Sequence, residues 1–440
     1  MTGANFLLET SSKSRILIDC GMIQGEKFSE EMNREPFLYE PASIQALIVT
    51  HAHLDHVGRI PKLVKEGFKG AIYSTPETRD LAELVMEDAA GILAMDAERD
   101  GVDPLYTLTD VQAVYPFWKT IPYHQSTEIT PDVSIYLKDA GHILGSSMTE
   151  FTIPSGKILF TGDLGNSPAP LLRDTEEVGE VDYLVMESTY GDKNHDSKEL
   201  RVSEFERIIK ETLASGGTLV IPTFSIDRTQ VLLYELNNMV EQKRIPSVPI
   251  FVDSPMAIKA TDIYSKSSDL FNDAVKKQIA GGDDIFKFPR LEFTMSQNES
   301  RDIDRAKGAK IILAGSGMSV GGRVTSHEQK FLPDPKSTIL LVGYQTNGSL
   351  GRRLADGDKI VSIHGNNVQV KAHIETLYGF SAHKDSDHLV EFVSTATKKL
   401  KQVFVVMGEP KSSMFLTQRI NDELDVKAAM PDRGVGYEVK

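Results

Sequence analysis

Six residues, His51-Ala-His53-Leu-Asp55-His56, constrain this 440-residue chain more than any other segment. They follow directly on the apolar run 46–50, which reads as a buried strand, and precede a helical stretch, so four potential metal ligands leave one strand end together. Neutral imidazole and carboxylate are donors that suit zinc, and a loop projecting from a strand terminus can aim alternate side chains at two adjacent ion positions. Surface histidines beside a helix-capping Asp are the plain alternative. With only 11 His in the chain, chance convergence on this spacing is rare.

A pair of ions needs further donors. The chain offers His142 in Asp139-Ala-Gly-His142-Ile-Leu-Gly145-Ser and Asp163 in Phe160-Thr-Gly-Asp163-Leu-Gly165, each next to a strand-like run. Glycines beside both let the backbone turn tightly, so that a side chain at a strand end points into a site. Either residue alone reads as a turn residue; together with the six-residue cluster, both read as ligands.

The first 190 residues carry short β-type runs at 5–9, 15–19, 46–50, 71–74, 133–137, 149–153, 157–160 and 183–186, with helix-period stretches at 61–66 and 77–94. Beyond residue 197 the units alternate: helix 203–215, strand 218–221, helix 227–243, strand 248–252, strand 311–314, helix 324–332 and strand 338–342. That punctuation predicts a parallel sheet. Strand-like runs return near 359–363 and 368–374. The expected organisation is α/β, with a first domain over 1–196, an α/β insert over 197–354, and the first domain returning over 355–440.

These residues resemble the metallo-β-lactamase superfamily of metal-dependent hydrolases, with Asp19 in Leu17-Ile-Asp19-Cys-Gly21 matching the first of four motifs that all occur in order. Met186-Glu187-Ser-Thr-Tyr190-Gly-Asp192, Ser316-Gly-Met-Ser-Val-Gly-Gly-Arg323 and Gly379-Phe-Ser-Ala-His383 look like its β-CASP branch of RNA and DNA nucleases. The resemblance implies a metallo-β-lactamase αββα sandwich with an inserted parallel α/β β-CASP domain. It also implies zinc-dependent hydrolysis of single-stranded RNA by metal-activated hydroxide. His51, His53 and His142 would then bind one zinc ion, Asp55 and His56 a second, and Asp163 would bridge them. Asp55, Glu187 and His383 would be catalytic, with Glu187 and His383 beside the reacting phosphate and His383 as general acid.

Two positions depart from that pattern. The branch carries a last ligand His in a Val-His-Gly-Glu-like segment, whereas this chain has Val405-Val-Met407-Gly-Glu409. Thioether is a poor zinc ligand, so the second ion is expected to be weakly held. Relatives carry another strand ahead of the Thr-Gly that here occupies positions 2 and 3, so the chain is expected to begin inside an element.

The glycine-rich stretch 315–323 is not a dinucleotide fingerprint, because Val320 occupies the last glycine position. It opens a helix, so Ser316 and Arg323 are expected to contact a substrate phosphate, a structural turn being the alternative. The segment Gly348-Ser-Leu-Gly-Arg352-Arg353 reads the same way. His124, His195, His327, His364, His373 and His388 lack partners at ligand spacing and read as surface or core residues. Trp118 and the tyrosines show no basic-aromatic alternation that would advertise a stacking platform.

Charge limits the partners. With 48 Lys+Arg against 63 Asp+Glu the net charge is −15, which excludes a generic basic nucleic-acid coat, so contact with RNA must be local. Single-stranded RNA is the expected partner; DNA and a homodimer remain open. No apolar stretch approaches the roughly eighteen residues of a membrane span. A single cysteine, Cys20, and the lack of a signal-like start predict a cytoplasmic protein. The competing functions are hydrolysis of a small ester, thioester or lactone, and a non-catalytic RNA-binding subunit.

Overall fold

The computed structural model describes residues 3–25, 28–303, 305–396 and 398–440, so Thr2 of the expected start lies outside them. Its strands run β1 (Phe6–Glu9), β2 (Arg15–Ile18), β3 (Ala46–Ile48), β4 (Ala71–Ser74), β5 (Trp118–Thr120), β6 (Thr127–Thr130), β7 (Val133–Asp139), β8 (Ser147–Ile153), β9 (Gly156–Phe160) and β10 (Tyr183–Glu187). They continue as β11 (Thr218–Pro222), β12 (Ile250–Asp253), β13 (Leu291–Phe293), β14 (Lys310–Ala314), β15 (Thr338–Leu341), β16 (Ile360–Ile363), β17 (Asn366–Gln369), β18 (His373–Thr376), β19 (Gln402–Val406) and β20 (Ala428–Ala429). The chain divides into two compact units, Met1–Asn194 with His383–Lys440, and His195–Ala382.

In the first unit, β1 to β5 form one sheet in chain order, and β20-β19-β10-β9-β8-β7-β6 form another. Period-two alternation decides what each face meets. Ile158 and Phe160 of β9 and Phe404 of β19 join Ile16, Ile18 and Ile48 in the core between the sheets. Leu159, Val403 and Val405, pointing the other way, join Leu389, Phe392, Leu416 and Ile420 of the helices Ser386–Ser394 and Pro410–Leu424. The helix Pro76–Asp100 starts where Thr75 accepts the Thr78 N–H, and it packs by the first sheet. The layers are those of an αββα sandwich.

The second unit is a six-stranded sheet, β13-β12-β14-β11-β15-β18, parallel throughout, with the hairpin β16-β17. β11, β12, β14 and β15 are buried along their whole length, as expected of strands covered on both faces. Its extent differs from expectation at one end. Residues 355–382, assigned in the sequence reading to the returning first domain, belong here because β18 pairs in parallel with β15, Thr338 opposite His373. The run 368–374 is in fact two strands, β17 ending at Gln369 and β18 beginning at His373. No helix among the described residues is long and apolar enough to cross a membrane.

Candidate metal centre

The centre is built from loops at the ends of β2, β3, β7, β9 and β10. Asp19, just past β2, takes a left-handed φ of 57°, a conformation Asp tolerates better than most residues. Its Oδ1 accepts the Thr50 N–H and its Oδ2 the Thr50 hydroxyl, both at 2.8 Å. The same Oδ2 lies 2.8 Å from His56 Nδ1. A carboxylate on one ring nitrogen fixes the tautomer and leaves the other nitrogen free to ligate. His56 Nε2 is buried, has no hydrogen-bond partner among the described residues, and stands 3.4 Å from Asp163 Oδ1. Gly21 permits this approach: a Cβ there would sit 1.5 Å from the Asp55 carbonyl oxygen.

His51 Nε2 and His142 Nε2 each lie 3.1 Å from His53 Nδ1. The same two atoms lie 3.4 and 3.6 Å from Asp163 Oδ2. The glycines beside these residues act as the sequence suggested. Gly141 and Gly162 have φ of 65° and 54°. A Cβ on Gly165 would meet the Gly141 carbonyl at 2.0 Å, so the His142 and Asp163 loops touch backbone to backbone.

Burial, reinforced by the charge of His56, pushes the His51 imidazole well below its ordinary range, and burial brings His53 down to about 4. His142 is lowered likewise, by burial and then by the charge of His383. Burial opposes the charge of Asp163, but His56 and His51 outweigh it and hold the carboxyl well below the usual range. Three neutral imidazoles and a carboxylate converging on one point, with His56 beside them on Asp163 and Asp19, is a donor set that fits zinc.

Asp163 also belongs to a second set. It lies with Glu187 and His383, and His383 Nδ1 stands 3.1 Å from Glu187 Oε1 and 3.9 Å from Asp163 Oδ2. Glu187, buried at the end of β10, is fixed by the Leu164 N–H at 2.7 Å and the Thr189 N–H at 3.1 Å. Burial disfavours a charged His383, yet the neighbouring Glu187, then Asp163 and Asp55, raise it to about 9.

The expected residues do not all converge. Among the described residues, the sets of three or more donors within 4.8 Å of one another are His51, His53, His142 and Asp163, and Asp163, Glu187 and His383; Asp55 is in neither. Met407, at φ 63° just past β19, lines a small cavity together with His56, Asp19, Thr161 and Gly162. In the second unit, Arg323 departs from the expected phosphate contact. Its guanidinium donates to Asp253 Oδ1 at 2.6 Å, Thr294 O at 3.0 Å and Met295 O at 2.6 Å, ties that close the sheet's own loops. Ser316 Oγ accepts the Val320 N–H at 3.0 Å. Sequence reasoning missed Thr50, which braces Asp19; its place directly before His51 was the available signal.

An αββα sandwich with histidines and a shared aspartate at its strand ends defines a metallo-hydrolase. The chain belongs to the β-CASP branch of the metallo-β-lactamase superfamily. The metallo-beta-lactamase superfamily model matches residues 3–203, the Beta-Casp domain residues 229–354, and the Zn-dependent metallo-hydrolase RNA specificity domain residues 367–431. It is 35% identical over 419 residues to Ribonuclease TTHA0252 of Thermus thermophilus, covering 94% of this chain and 92% of that one. It is 32% identical over 438 residues to transcription termination factor FttA of Methanosarcina mazei, covering 96% and 67% of the two. To FttA of Thermococcus kodakarensis it is 32% identical over 452 residues, covering 98% and 68%.

Proposed function

We propose that this protein is a zinc-dependent ribonuclease that hydrolyses phosphodiester bonds of single-stranded RNA. One observation carries the reading: the Asp163 carboxylate is shared between the histidine set and the Glu187–His383 pair, so a metal-binding group and a proton-donating group meet at one residue. His51, His53, His142 and Asp163 would hold the tighter zinc ion. A second ion would rest on His56 and Asp163, assisted by Asp55, with Met407 adding no suitable donor. Bound zinc supplies Lewis acidity that lowers the pKa of water and offsets charge on the phosphate.

The residues of the chain do the remainder. Glu187 Oε1, anchored by the Leu164 N–H, holds His383 through Nδ1, so Nε2 would be the donor nitrogen. A His383 raised to about 9 carries its proton at neutral pH and can deliver it to the departing ribose oxygen. Asp55, buried close to His53, adds negative charge that favours the protonated imidazole of His383. Kinship to a named ribonuclease and the RNA specificity match support RNA over a small ester, thioester or lactone. The single buried, unpaired Cys20 supports a cytoplasmic setting.

The test is cleavage of end-labelled single-stranded RNA by purified protein, with and without chelator, beside lactone and thioester substrates. RNA cleavage that chelator abolishes and zinc restores is expected. Lactone or thioester turnover without RNA cleavage would refute the reading, and RNA binding without cleavage of any substrate would favour the non-catalytic subunit.

A further inference from the structure

All six strands of the second unit run in parallel, so their carboxyl ends form one rim, where open α/β sheets characteristically bind ligands. In the sheet order, β11, β15 and β18 are neighbours. Each is followed within three residues by an aromatic side chain: Phe224, Tyr344 and Tyr378. Phe224 is 39% exposed and Tyr378 45% exposed, at the end of a sheet whose four inner strands are buried.

The rim is built rather than frayed. The Phe224 carbonyl accepts the Thr229 hydroxyl at 2.7 Å, and the Tyr378 carbonyl the Ser381 N–H at 3.2 Å. A Cβ at position 317 would lie 2.7 Å from a Phe224 ring carbon, so the backbone of Gly317 itself forms the floor under the ring. The Arg352 guanidinium near this rim is held by Asp356, its Nε donating to both carboxylate oxygens at 2.9 Å.

We infer that Phe224 and Tyr378, with Tyr344 between them, form a platform on which bases of single-stranded RNA stack. The inference rests on the ribonuclease reading and adds to it the residues that grip the strand. The charge of the chain argues for this chemistry. A protein carrying −15 gains little from nonspecific phosphate attraction, whereas stacking draws on the π face that every base offers and costs no positive charge. Exposed aromatic rings fixed in place by their own backbones lose little entropy when a base covers them.

The probe is a single-stranded RNA containing 2-aminopurine, mixed with the full-length protein in chelator so that hydrolysis does not consume it. Stacking should quench its fluorescence. Phe224→Leu and Tyr378→Leu keep apolar bulk but remove the ring, and each should abolish part of the quench and weaken binding about fivefold or more. Phe224→Tyr should retain both. Leu variants that bind and quench like the wild type would overturn the platform, as would a Phe224→Tyr variant no better than Phe224→Leu. Failure of the ribonuclease reading appears separately, as wild-type protein that does not hydrolyse RNA when loaded with zinc.

Discussion

Glu328 offers a stability measurement on the loop that underlies the Phe224 ring. It lies fully buried in the helix Arg323–Phe331, its Oε1 accepts the Ser319 hydroxyl, and its Oε2 has no hydrogen-bond partner among the described residues. Burial pushes its carboxyl from 4.5 up to about 7, against the Ser319 hydrogen bond and the charge of His327. The folded state therefore binds this proton more tightly than the unfolded state. The associated stability is complete below pH 4.5, falls as pH rises towards 7, and is lost above it.

Between pH 5 and 8 the loss amounts to about 2.5 kcal/mol. Glu328→Gln keeps an acceptor for Ser319 and removes the titration. Relative to wild type it should therefore gain stability as pH rises, raising the melting temperature of the second unit by about 5–10 °C more at pH 8 than at pH 5. Scanning calorimetry of both proteins at the two pH values makes the comparison, and subtraction cancels groups common to both. An equal difference in melting temperature at pH 5 and pH 8 would refute the assignment of a buried, neutral Glu328.

His53→Ala and Asp163→Ala should each lower zinc content by elemental analysis and abolish RNA cleavage, because each removes a donor from the converging set; full occupancy in either would exclude that residue. Glu187→Gln and His383→Ala should retain zinc but cleave roughly 10²–10⁴-fold more slowly, and wild-type rates would remove the pair from proton transfer. Met407→His should raise the stoichiometry or affinity of the weaker ion in a metal titration, since it adds imidazole to the cavity that His56 also lines. An unchanged titration would leave Met407 a packing role.

The sandwich and its donors were legible because each expresses a local rule. The run 46–50 and the donor spacing 51–56 are contiguous, and Gly141, Gly145 and Gly162 around His142 and Asp163 have the positive φ their loops need. Boundaries were less legible where partners are remote in sequence. Nothing within residues 355–382 says that β18 completes a sheet begun at β11; that depends on an edge of β15. Arg323 read as a phosphate ligand because a glycine-rich turn preceded it, whereas Asp253, seventy residues earlier, claims the guanidinium. The aromatic rim was invisible for the same reason. Phe224, Tyr344 and Tyr378 become neighbours only through strand order, and no alternation along the chain records it.

The sheet order of the first unit also sets a timetable for biosynthesis. β10 is sandwiched between β9, made just before it, and β19, made some two hundred residues later. At typical elongation rates that interval is roughly 10–40 s, during which one edge of a buried strand has no neighbour. Glu187 leaves the ribosome with that open edge, and His383 follows only after the entire second unit has been synthesised. A chain interrupted anywhere in between carries every histidine of the converging set but lacks His383 and the strand that seals its sheet. The nascent protein thus acquires metal donors early and RNA-cleaving competence late.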